Sequence, residues 1–276
     1  MADAGIISAM RYGFTILWLL SLLSVPAIAQ DNVGSFHSKH FLFGAPIGAP
    51  SSNDLIIRDT YALSNNGETK FADWVAYRLT PQEVAGTVDL NRSWRPDPWL
   101  TDDETLEPSG PDDYTGASAA HDYQRGHQAP LASFKGSQAA RELNYLSNIT
   151  PQRANLNAGP WARLEEAVRD HVRRWNTVWV MTGPLYETPM LPLPRANEPH
   201  VVPSGYWKII AVWEGSEVSL AAFIMTQDVE RDADIRTFAT SVSEVESRAG
   251  LNFFYELPTV IQIELESAVQ IEWLIQ

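Results

Sequence analysis

The stretch Gln124-Arg125-Gly126-His127 sets a guanidinium and an imidazole two positions apart. A neutral imidazole accepts protons near neutral pH. A planar guanidinium matches two oxygens of a phosphate. Splitting a phosphodiester needs a proton acceptor for the attacking water, positive charge on the phosphoryl oxygens and a cation for the departing 3′ oxygen. A hard divalent ion on oxygen ligands, keeping several waters, suits the last task. Downstream, the run "SNITPQRANLNAGPW" is rich in side-chain oxygens. Asn157, just before a helix start at Pro160, offers an amide oxygen that ligates Mg²⁺ without titrating. Glu165, in the second turn of that helix, offers a carboxylate to the waters of such an ion.

Each residue also has an ordinary reading. A histidine in a loop is commonly structural, and Asn in "SNIT" and "NLN" suits turns. Glu165 with Arg169 reads as a surface i,i+4 pair worth little. His37, His40, His121, His171 and His200 have no comparable neighbours and read as solvent-facing or structural.

Positioning falls to the surrounding elements. The segment "KFADWVAYRLT" (70–80) is aromatic and β-prone, which predicts a strand. Residues 93–118, with four prolines and many acids, read as a long surface loop. Strand-like segments follow at 125–134 and 143–150. Gly159-Pro160 opens a helix whose buried stripe is Trp161, Leu164, Val168, Val172 and Trp175. Glu165, Arg169 and Arg173 flank that stripe within reach of a neighbouring loop. A core strand is expected at 177–183 and a hairpin at 205–214 and 218–226. Ser241-x-x-Glu244 reads as a capping box for a helix ending near Gly250, and a further helix closes the chain. Strands and helices mix without βαβ regularity, so the class is α+β. No repeat is visible, and no linker divides residues 30–276, which read as one domain.

Composition bounds the function. The 276 residues carry a net charge of −14, which taken alone argues against a nucleic-acid partner. Residues 120–175 hold eight Lys/Arg against five Asp/Glu, a local +3 that leaves −17 elsewhere. The motif thus sits on the basic island of an acidic protein, where a phosphate-bearing ligand fits. Arg11, an apolar run and Ala27-Ile28-Ala29 make residues 1–29 a secretory signal peptide, cut before Gln30. No later segment is apolar enough to span a membrane. The chain has no cysteine, which excludes thiolate metal sites and cysteine nucleophiles.

"RGHQAPLAS" followed by "NYLSNITPQRANLNAGPWARLEE" resembles the DNA/RNA non-specific endonucleases, the ββα-metal group of Serratia-type secreted nucleases and endonuclease G. The likeness spans roughly residues 40–260, with "NRSW", "PDDYTGASAA", "VMTGPLYE" and "VPSGYWKII" in the family's order. It implies a ββα-metal core within a mixed, mainly antiparallel sheet flanked by helices. It implies His127 as general base, Asn157 as the single protein ligand of Mg²⁺ and Glu165 as anchor of the ion's water shell, with Mn²⁺ a substitute. It places Arg125 beside metal and phosphate, and Arg92 and Arg169 on the scissile phosphate. Asn148 and Gln152 line the site. DNA and RNA, single- or double-stranded, are cut to 5′-phosphorylated oligonucleotides through backbone contacts that carry little sequence information. The protein is then secreted, extracellular or periplasmic, a monomer or homodimer, and free of the membrane after signal removal.

Two departures stand out. The family motif usually begins with Asp, and Gln124 replaces it, which lowers the negative charge near the metal. Some secreted relatives carry disulfides, and this chain has none. Two other readings compete: a nucleic-acid-binding homologue with weakened catalysis, resting on Gln124, and a phosphodiesterase or phosphatase of small esters.

Overall fold

Strands with apolar side chains on both faces must be covered on both sides. That rule shapes the computed structural model, which describes residues 37–88, 90–106, 112–175 and 177–275. The export segment expected at 1–29 lies outside the described residues.

Nine strands occur among the described residues: β1 (Asp54–Ile57), β2 (Ala62–Asn66), β3 (Phe71–Leu79), β4 (Tyr123–His127), β5 (Ile149–Arg153), β6 (Val178–Leu185), β7 (Gly205–Glu214), β8 (Glu217–Thr226) and β9 (Ala239–Thr240). Seven form one antiparallel sheet in the order β1-β2-β3-β6-β7-β8-β9. The other two, β4 and β5, pair as a separate ribbon. The helices are α1 (Pro81–Val84), α2 (Ala117–His121), α3 (Ala154–Asn157), α4 (Pro160–Trp175), α5 (Val242–Ala249) and α6 (Thr259–Ser267).

Alternation along the central strands builds two cores. Val75, Tyr77, Val180, Tyr206 and Ile210 face one side, where Trp161, Leu164, Val168 and Val172 of α4 cover them. Trp74, Ala76, Met181, Trp207 and Ile209 face the other, against Val242 and Val245 of α5. A smaller core of Phe71, Tyr114, Tyr123, Leu146 and Ile149 lies under the ribbon. The ribbon is also tied to the large sheet. Tyr206 Oη donates to Pro151 O at 2.6 Å, and Gln227 Nε2 donates to the same carbonyl at 2.8 Å.

The class is α+β, with α4 and the hairpin as expected. Several boundaries differ. The strand expected at 125–134 is β4 at 123–127; Pro130 then leads into a 3-10 turn, Leu131–Ser133. The strand expected at 143–150 begins only at Ile149, because two 3-10 turns, Ala140–Asn144 and Leu146–Asn148, occupy the stretch before it. The segment 93–118 is not simply a surface loop, since Asp97, Leu106 and Tyr114 are buried in it. Ser241 caps α5 by accepting from Glu244 N at 3.1 Å, and Gly250 ends it at φ 70°. After α6 the chain packs Trp273 edge-on against His171 of α4, ring centroids 5.0 Å apart. No helix of the described residues is long and apolar enough to cross a membrane.

Candidate active site

The β4–β5 register places Gln124 opposite Gln152, Arg125 opposite Pro151 and His127 opposite Ile149. Gly126 is required there. A Cβ at that position would lie 2.2 Å from Gln152 Oε1, so the buried Gln152 side chain fills the space a larger residue would take. Where β5 ends, Ala154 N donates to Asp122 O at 3.1 Å, which fixes the start of α3 against the start of β4.

His127 is held by a relay of amides. Asn144 Nδ2 donates to Asn91 O at 3.0 Å, which turns Asn144 Oδ1 toward His127 Nε2 at 3.3 Å. An amide oxygen only accepts, so Nε2 carries the proton and Nδ1 keeps its lone pair. Burial pulls the imidazole pKa down to about 4; the Asn144 bond opposes that shift and the Arg92 charge adds to it. The ring packs on Trp94, centroids 5.3 Å apart. Arg125 meets the same indole at 5.5 Å and the Tyr114 ring at 4.6 Å, and it pairs with Asp112. Trp94 therefore links the guanidinium and the imidazole of the motif. Arg92, two residues earlier, is exposed.

A second cluster joins Gln124 to the helices. Asn157 Nδ2 donates to Gln124 Oε1 at 2.9 Å, and among the described residues no donor reaches Asn157 Oδ1. On α4, Arg169 is buried, donates to Ser133 Oγ at 3.3 Å and pairs with Glu166. The i,i+4 pairing expected between Glu165 and Arg169 thus gives way to an i,i+3 pair. Glu165 instead lies near Lys208. Alternation along β7 turns Lys208 toward α4, where it is fully buried with Nζ 4.4 Å from the Trp161 ring centroid. Burial pushes the Glu165 carboxyl up and draws the Lys208 ammonium down, and each charge moderates the other's shift.

Asn148 and Gln152 are both buried. The Asn148 amide is spent on backbone, accepting from Ala129 N at 2.8 Å and donating to Ala129 O and Leu143 O at 3.0 Å each. Its contacts are those of a scaffold for the turn after β4. The Gln152 amide has no hydrogen-bond partner among the described residues. Asp122 ends α2 in the left-handed region, φ 59°, with its carboxylate on Ala154 N, so it does not take the place of a motif carboxylate.

Sequence reasoning passed over Asn144, Trp94 and Lys208. Lys208 had a signal, being a lone charge inside an apolar strand. Asn144 had none, because its partners lie 53 and 17 residues away.

No group of three His, Cys, Asp or Glu suited to a metal occurs among the described residues. The donor set suits a hard ion that keeps most of its waters: one neutral amide oxygen, Asn157 Oδ1, whose amino end is already tied back.

A paired ribbon followed by a helix, with an imidazole on the first strand and an amide oxygen before the helix, defines the ββα class of site. Residues 41–260 match the family model for DNA/RNA non-specific endonuclease. A nuclease of Serratia marcescens is 42% identical over 94% of this chain and 95% of its own. Human mitochondrial endonuclease G is 28% identical over 76% of this chain and 72% of its own. A chain in the crystal structure of an EndoG/EndoGI complex superposes with TM-score 0.64 at 25% identity, covering 79% of this chain and 90% of that one. The chain belongs to the DNA/RNA non-specific endonuclease family, and with it to the nuclease hydrolases.

Proposed function

We propose that this protein is an exported, Mg²⁺-dependent endonuclease that cuts DNA and RNA, single- or double-stranded, to 5′-phosphorylated oligonucleotides, with Mn²⁺ able to replace Mg²⁺. The observation that carries this reading is His127: neutral at physiological pH, fixed in one tautomer, and on the same strand as the partner of Asn157. Nδ1 of His127 takes the proton of the attacking water. Positions 124 and 127 are about 10 Å apart along the strand. Asn157 Oδ1 would hold the cation, and Glu165 would receive its waters. The cation, when bound, neutralises charge on the phosphate and the departing oxygen. Arg125, anchored by Asp112 and two aromatic rings, holds a fixed positive charge beside the imidazole. Arg92, on the exposed loop, meets the incoming backbone, and Arg169 steadies the developing charge. Gln152 and Asn148 shape the ribbon that carries these groups.

Export rests on the sequence of residues 1–29, and residues 30–276 are the working domain, whether extracellular or periplasmic. The test is hydrolysis of plasmid and of RNA in Mg²⁺, with and without EDTA, by the parent and by His127→Ala. Chelation should abolish cleavage, and the variant should lose about 10²–10⁴-fold in rate. Undiminished cleavage by His127→Ala would remove the imidazole from the mechanism.

A further inference from the structure

We infer that Gln124 is a positioning residue that sets which end of the Asn157 amide faces the cation; the inference rests on Asn157 as the ligand. The backbone on both sides is already fixed. Gln124 sits opposite Gln152 in the ribbon, and α3 is tied to Asp122 through Ala154 N. The soft coordinate left is rotation of the Asn157 amide about its last bond, which is broad and nearly two-fold. One turn presents an oxygen to the cation and the other presents an amino group, which repels it. Gln124 Oε1 takes the amino group at 2.9 Å, the pairing that leaves the Asn157 oxygen to the cation.

The same bond sets the charge of the site. With Oε1 facing Asn157, the other end of Gln124 is Nε2, a donor without a lone pair for the waters of a cation. A carboxylate here would keep the acceptor for Asn157 and add an oxygen and a negative charge. Orientation is therefore preserved in this chain, while the pull on the cation is weakened.

The experiment measures Mn²⁺ binding to the full chain by the electron paramagnetic resonance of the free ion, without substrate, and checks each variant's Tm. Gln124→Ala should bind Mn²⁺ about 10-fold more weakly than the parent, the usual size of a lost supporting contact at a metal ligand. Gln124→Glu, which retains the acceptor and exchanges only the amino group for oxygen, should bind about 10-fold more tightly. Asn157→Ala should lose the site. If Asn157→Ala loses binding while Gln124→Ala matches the parent, Gln124 positions nothing and Asn157 remains the ligand. If Asn157→Ala binds as the parent does, the metal reading itself fails and the inference falls with it. Should Gln124→Ala unfold, Gln124→Met, which keeps the bulk and loses the acceptor, decides: binding equal to the parent's overturns the positioning, and Gln124→Glu binding no tighter than the parent overturns the charge argument.

Discussion

An imidazole that is to accept a proton must first be kept from holding one. At His127 burial does this, against the opposing pull of the Asn144 bond, and the folded pKa lies near 4 rather than the usual 6.5. The shift has a cost in acid. Between about pH 6.5 and about pH 4 the unfolded chain binds a proton that the folded chain refuses, so this group's effect on stability grows more unfavourable as pH falls through that window. His127→Gln lacks the effect. The unfolding free energy of the parent minus that of the variant should drop by on the order of 2 kcal/mol between pH 7 and pH 4.5, measured by urea titration at both. A difference that stays constant would mean that the imidazole is not held neutral. At this scale the sequence singled out Arg125, His127 and Asn157 by residue type alone. It was silent on Trp94 and Asn144, whose roles come from partners that only the tertiary structure brings near.

The elements carry the site through one tight junction. Gly159 is buried between α3 and α4, and a Cβ there would lie 2.1 Å from Asn155 O and 2.7 Å from Arg231 O. Both are backbone atoms, and the 231–233 segment is itself pinned to α4 by Arg163, which donates to Arg231 O and Ala233 O at 2.8 and 2.6 Å. Neither neighbour yields easily. Gly159→Ala should therefore push α3 away, cost about 1–3 kcal/mol of stability and displace Asn157 from Gln124. Thermal unfolding and plasmid cleavage check this, and a variant with the parent's Tm and activity would show that the junction relaxes. The Gly-Pro pair was visible in the sequence as a helix start, and the 3.6-residue spacing of Trp161, Leu164, Val168 and Val172 gave the buried face of α4. The ribbon was harder to bound. Residues 128–134 and 143–148 look strand-like by composition, yet the backbone turns into 3-10 geometry at Leu131–Ser133, Ala140–Asn144 and Leu146–Asn148. β2 was missed because "ALSNN" has no apolar alternation and bears a register shift between Ser64 and Asn65.

For the molecule as a whole, the question is how a chain of net charge −14 meets a polyanion. The basic count of residues 120–175 overstates the local field. Arg125 is paired with Asp112 and Arg153 with Asp228, acids that lie outside that segment, and Arg169 and Arg173 are paired within it. Attraction is thus confined to contact range, while the remaining acids repel a nucleic acid from afar. Salt separates the two ranges. The screening length falls from about 30 Å at 0.01 M to about 10 Å at 0.1 M and about 3 Å at 1 M. The first step removes far repulsion and leaves the phosphate contacts proposed for Arg92, Arg125 and Arg169 largely intact; the second weakens those contacts as well. Initial rates on duplex DNA below KM should therefore rise from 0.01 to about 0.1 M NaCl and fall toward 1 M. Activity that falls steadily from the lowest salt would mean that local basic contacts govern the encounter throughout, and that the acidic remainder of the surface lies too far from the approach path to be felt.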